Sequence, residues 1–255
     1  MEAPEDPELD HFIGYLGLDL WHEDDRTFGR ATITPEMWVP GTQRVRLGIL
    51  FTMADVVGGS PPNGILTPTI ELRMRLLSDA PHEGEVRLEG RPMKAGKRIY
   101  TGEVLCYGPE LFAVCEYSFM NQSLPHSPEH RIVRQHRPLP GASFDDVFQM
   151  RMLEGGAVEM DPHGAVRNGL VGTIQGGAQA TMVEVAAERA LAGEGPYAVR
   201  DLHVRYLNAV KVGPALARPQ VFFGDGSAPV VRVAVSDVGA GDRIVSSAVA
   251  VCRRA

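Results

Sequence analysis

Two stretches of the chain depart from the short alternating runs that fill most of it. Over residues 48–57 and 176–191, apolar and small side chains occupy most of a helical circumference with few turn residues between them. That is the pattern of a helix enclosed by protein on nearly all sides. Downstream of each, the period changes to two. Leu72, Met74 and Leu76 alternate with Arg73 and Arg75, and Leu202, Val204 and Tyr206 alternate with His203 and Arg205. Both segments predict half-buried strands. Further strand-like runs cover residues 85–88, 98–107, 111–119, 216–223, 230–237 and 244–252, most of them separated by glycine-containing turns. Such spacing predicts an antiparallel meander. Each half therefore predicts an α+β unit: one central helix followed by about four antiparallel strands, which must cover the helix to bury it.

The two halves are copies of one unit. Gly48, Thr52, Met53 and Val56 recur as Gly177, Thr181, Met182 and Val185, an offset of 129 that sets Asp55 opposite Glu184. The following strands repeat with an offset of 130, where Leu72, Arg75 and Leu77 match Leu202, Arg205 and Leu207. A repeat of this length divides the chain into residues 1–122, a connecting segment 123–143 and residues 144–255. The connector carries Pro125, Pro128, Pro138 and Pro140 without apolar periodicity. Prolines keep His126, His130 and His136 out of a helix that would align them, so a solvated linker is expected rather than a metal site.

Composition narrows the chemistry. The 255 residues are 44% hydrophobic with a net charge of −7, which gives ample core and no global attraction for nucleic acid. Cys106, Cys115 and Cys252 cannot pair evenly and form no CxxC, so neither a disulfide framework nor a cysteine zinc site is indicated. With no apolar run of spanning length and no cationic leader, a cytoplasmic protein without membrane attachment is expected. No Gly-x-Ser-x-Gly elbow, phosphate-binding lysine loop, Gly-x-Gly-x-x-Gly turn or His-Glu-x-x-His helix is found. Serine hydrolase, nucleotide-phosphate and zincin chemistry are excluded accordingly.

The run from Asn168 through Gly172, Thr173, Gln175, Gly176 and Gly177 to Glu184, followed by the strand from Asp201, resembles the phenylacetate-degradation (PaaI-like) type of hotdog-fold acyl-CoA thioesterases. Members of that family carry an Asn, a Gly-Thr-x-His-Gly-Gly turn and an acid eight residues after the first glycine of the pair. Here Gly176 and Glu184 keep that spacing, while Gln175 stands where the family has its histidine and Asn168 lies one residue further from the turn. The first half keeps the helix, its acid Asp55 and the strand, but has Arg46, Leu47 and Gly48 in place of the turn. The resemblance implies a double hotdog fold whose two halves form an intramolecular pseudo-dimer, open to further association into homodimers. It implies hydrolysis of an acyl-CoA thioester without metal or other cofactor, CoA being part of the substrate.

Eight helical residues span about 12 Å, so a helix amino terminus and its own acid cannot act on one atom. The other half must supply the partner. The expected catalytic group is Asp55 facing Asn168, Gln175 and Gly176, with the Gly176 N–H aimed at the thioester carbonyl. Gln175 cannot be a base, because an amide does not titrate. Glu184 is the second candidate acid and is expected to face Arg46 and Leu47. Lys94, Lys97 and Arg98 form a compact basic cluster that could meet the phosphates of coenzyme A. Two other readings compete: a non-catalytic acyl-CoA binding module, and a hotdog dehydratase or hydratase, which would pair its helix acid with a loop histidine that neither candidate loop contains.

Overall fold

The computed structural model describes residues 11–62, 64, 68–122, 139–168, 172–222 and 228–255, with Asn168 described by its backbone alone. The expected linker 123–143, including its three histidines, lies largely outside the described residues. The two enclosed helices are α1, Leu47–Gly58, and α3, Gly176–Ala190. A one-turn helix α2, Phe144–Phe148, opens the second half behind a Ser143–Asp146 capping box. No residue of α1 is exposed, and residues 177–187 of α3 are all buried. This is why neither helix shows a polar stripe in the sequence. Neither is long and apolar enough to cross a membrane, nor is any other described helix.

The first half contributes strands β1 (Asp19–Glu23), β2 (Arg26–Ile33), β3 (Thr69–Leu76), β4 (Gly84–Ala95), β5 (Ile99–Tyr107) and β6 (Leu111–Met120). The second contributes β7 (Arg151–Met152), β8 (Val158–Met160), the small hairpin β9 (Arg167–Asn168) and β10 (Thr173–Ile174), then β11 (Tyr197–Tyr206), β12 (Ala215–Phe222), β13 (Val230–Asp237) and β14 (Arg243–Arg254). Apart from β9 and β10, they join in one antiparallel sheet in the order β1-β2-β4-β5-β6-β3-β11-β14-β13-β12-β8-β7. Each helix packs against the strands of its own half, and the two helices pack against each other. This is the hotdog fold, present twice.

The simple meander expected from the turns is corrected in one respect. β4-β5-β6 and β12-β13-β14 are successive hairpins, but β3 pairs with β6 and β11 with β14. This leaves β3 and β11 each at an end of its own half's sheet, and β3 pairs with β11 to fuse the two sheets. That pairing is centred on Arg73 opposite His203, two residues related by the repeat offset of 130. A pseudo-twofold axis passes between them. The salt bridges Arg73–Asp201 at 2.7 Å, Arg75–Asp201 at 3.0 Å and Arg205–Glu71 at 3.4 Å lie on the outer face of this seam.

The helices obey the same axis. A Cβ on Gly48 would lie 2.2 Å from the Thr181 hydroxyl oxygen, and one on Gly177 would lie 2.0 Å from that of Thr52. These are one contact made twice, and it brings the two antiparallel helices together at positions where only glycine fits. The symmetry also extends upstream of the sequence repeat. Arg46 N–H donates to Met37 C=O and Gln175 N–H to Val166 C=O, both at 2.9 Å and both 129 positions apart. The segment entering each helix is thus closed by the same bond, and its buried Met37 and Val45 are matched by Val166 and Ile174.

Candidate functional site

Because α1 and α3 run antiparallel across the axis, the acid in the later part of each helix meets the amino terminus of the other. At the first meeting point, Asp55 of α1 is enclosed by protein on most sides without being sealed from solvent. Its Oδ1 accepts from the Thr69 hydroxyl at 2.9 Å and its Oδ2 from the Gln175 side-chain amide at 3.3 Å. Loss of hydration raises the Asp55 pKa to about 6, against the lowering effect of these two donors. Such a carboxylate is charged at neutral pH and still able to hold a proton near it.

Gln175 has two tasks. It is the N-cap of α3, where its Oε1 accepts from the N–H groups of Gly177 and Ala178. Its Nε2 is what remains to face Asp55. The Gly176 N–H, at the first helical position, has no protein acceptor among the described residues and lies at the positive end of the helix dipole. The Gln179 amide holds this turn in place by donating to the Ile174 carbonyl at 3.0 Å, while its Oε1 accepts from Ser246 at 2.7 Å. Asn168 pairs with Thr173 in the hairpin that leads into Gln175. Its side chain lies outside the described residues.

At the second meeting point the same backbone carries a different arrangement. Glu184, fully buried, reaches the amino terminus of α1 and accepts from Leu47 N–H at 3.0 Å and Gly48 N–H at 2.8 Å. Leu47 is the repeat equivalent of Gly176, so the donor left free at the Asp55 site is consumed here by the carboxylate itself. Arg46 replaces Gln175 as N-cap and makes a bidentate pair with Asp145. Arg44 bridges Glu184 at 3.4 Å and Glu188 at 2.8 Å. Burial pushes the Glu184 carboxyl up, opposed by Arg46, Arg44 and the Gly48 N–H. One extra methylene and two arginines turn the second acid into an ionic tie between the halves. Glu184→Ala is expected to destabilise the protein by about 3–5 kcal/mol, since it leaves the buried Leu47 and Gly48 N–H groups without an acceptor and opens a cavity where the side chain was. A denaturant titration checks this; a loss under 1 kcal/mol would show that the tie holds little.

Two residues at the Asp55 site escaped the sequence reading. Thr69 opens β3, just upstream of the segment in which the repeat is legible. Tyr206 reads as the third apolar position of an alternating strand, yet its hydroxyl donates to the Gly176 carbonyl at 2.8 Å. For Tyr206 the signal that could have found it is a break in the repeat: its equivalent, Leu76, carries no hydroxyl.

Lys94, Lys97 and Arg98 are exposed at the tip joining β4 to β5. The register runs Thr69, Phe119, Tyr100 and Ala95 across four neighbouring strands. The basic tip therefore flanks the end of the sheet where Thr69 begins, three strand spacings or roughly 14 Å away.

No protein-family model matches the chain, and no curated protein matches it by sequence. Solved structures do match. A TesB protein from Mycobacterium avium subs paratuberculosis superposes with a TM-score of 0.67 at 15% identity, covering 94% of this chain and 96% of that one. The acyl-CoA thioesterase II of Mycobacterium marinum gives 0.58 at 12% identity over 96% and 98%. A hot dog fold protein of unknown function from Alicyclobacillus acidocaldarius gives 0.64 at 10% identity over 94% and 97%. All three share the fold along essentially the whole chain.

Proposed function

We propose that this protein hydrolyses an acyl-CoA thioester to the free acid and CoA at the Asp55 site between its two halves. The observation that carries the reading is the pairing of a partly enclosed, titratable carboxylate from one half with a helix-terminal N–H from the other that has no protein acceptor among the described residues. The thioester carbonyl oxygen accepts from Gly176 N–H, where the helix dipole stabilises the charge that develops during attack. Asp55 removes a proton from water, the hydroxyl adds to the carbonyl carbon, and the C–S bond breaks as the proton passes from Asp55 to the departing thiolate. Thr69 and Gln175 hold the carboxylate so that its orientation is set before substrate arrives.

The resemblance in the motif points to the phenylacetate-degradation type, but the end-to-end match to TesB structures favours a tandem TesB-like enzyme. Three unpaired, buried cysteines suit a cytoplasmic setting. For CoA recognition we assign Lys94, Lys97 and Arg98 to its phosphates. Replacing all three by Ala is expected to raise KM on the order of tenfold with kcat unchanged, a loss of about 1.4 kcal/mol of binding. Acyl-pantetheine, which lacks those phosphates, serves as the insensitive control, and equal effects on both substrates would remove the assignment.

Free-thiol release measured over a panel of acyl-CoAs tests the activity itself. Catalytic, stoichiometric release of CoA is expected. Saturable binding without release would identify a binding module, and a change in the acyl chain with the thioester intact would identify a hydratase.

A further inference from the structure

We propose that Tyr206 is a positioning residue for Asp55, acting through the Gly176–Gly177 peptide and the Gln175 side chain. The proposal rests on the reading of Asp55 as the working base. The Tyr206 hydroxyl donates to the Gly176 carbonyl at 2.8 Å. That carbonyl belongs to the peptide whose N–H is Gly177's, and this N–H donates to Gln175 Oε1. The other end of the same amide, Nε2, donates to Asp55 Oδ2 at 3.3 Å. Three donors thus point the same way along two amide units, and each donor that polarises a carbonyl strengthens the N–H on the same amide.

The chain also decides which way Gln175 faces. With Oε1 taken by the backbone of α3, only the two hydrogens of Nε2 are available to the carboxylate, so Gln175 acts as a donor that favours the charged acid. The Tyr206 ring lies against Gly176, where a Cβ would come within 3.0 Å of its Cζ, and this contact fixes the hydroxyl over the carbonyl. Burial and the neighbouring Asp55 charge push the phenol pKa up, so the hydroxyl remains a donor at neutral pH. In the other half, Leu76 occupies the equivalent position and Arg46 replaces Gln175. The chain is therefore built only at the site that keeps a free helix terminus.

Tyr206→Phe tests this, because it keeps the ring and removes the hydroxyl. Turnover is expected to fall about tenfold with KM within about twofold, the scale of one lost hydrogen bond in a polarised series. The acid limb of the pH profile should move to higher pH, and so should the titration of Asp55 followed by carbon-13 carboxyl NMR. A merely structural tyrosine would lower the melting temperature and leave that titration in place. An unchanged Asp55 titration would overturn the proposal. The NMR arm requires no turnover, so a wild type inert towards every acyl-CoA would defeat the activity reading while leaving the role of Tyr206 decided.

Discussion

Asp55→Asn is expected to lower kcat by about 100-fold or more, the scale on which a positioned general base acts. The variant should fold, because the asparagine can turn its Oδ1 to Gln175 and its Nδ2 to Thr69, whose hydroxyl accepts as well as donates. In the wild type, activity should rise with pH and level off above the Asp55 titration near 6, since the base works only when deprotonated. The direction follows from the environment. Burial disfavours the charge and raises the pKa, so more of the enzyme is inactive at pH 5 than an exposed aspartate would allow. Asp55→Asn should lack this limb in whatever activity remains. A pH profile of kcat/KM on both proteins checks the pair of expectations, and an identical limb in the variant would show that another group titrates.

Gly176→Pro is expected to cost about 100- to 1000-fold in kcat, as removal of one oxyanion donor does elsewhere. The backbone at this position already suits proline. Proline is well tolerated at the first position of a helix, and the residue before it prefers extended backbone. Gln175 already has φ −64° and ψ 145°. The new Cβ presses on Tyr206, so Gly176→Ala is the control: it brings the same Cβ at 3.0 Å from the ring and keeps the N–H. The alanine variant should lose far less than the proline variant. Equal losses would assign the effect to crowding of Tyr206, and near-full activity in a folded proline variant would exclude the Gly176 N–H.

Much of this site is legible in the chain because the helices are. Identical Thr and Met residues and an acid at the same position in each copy define the repeat, and the length of a helix then requires the acid of one half to serve the turn of the other. The limits are equally physical. β2 is not legible in the sequence, because its buried positions, Thr27, Gly29, Ala31 and Ile33, are mostly small or polar, which leaves no apolar period. β4 runs seven residues further than the sequence suggests, through Gly90 and Pro92 to Ala95, with a register shift that absorbs the proline. The placing of β3 beside β6 could not be read locally, since it joins residues 37 to 50 positions apart, Leu76 with Ala113 and Thr69 with Phe119, across the intervening β4 and β5. At the site, Tyr206 passed as a core residue because a phenol ring satisfies an apolar period while its hydroxyl does something else.

The asymmetry between the two acids has a compact cause. Glu184 is one methylene longer than Asp55, and it occupies the helix terminus that faces it. Asp55 does not accept from the Gly176 N–H, which has no acceptor among the described residues, and is held by Thr69 and Gln175 instead. In the proposed reaction Asp55 is the base, and the other acid ties the halves together.

The most direct test sets Asp55→Asn beside Glu184→Gln on the same acyl-CoA, with free-thiol release as the readout. Glutamine keeps the size of Glu184 and one acceptor for the α1 terminus, so that variant should retain kcat within about threefold, whereas Asp55→Asn should fall about 100-fold or more. An inactive Glu184→Gln protein beside an active Asp55→Asn protein would place the working site in the other half and contradict the account.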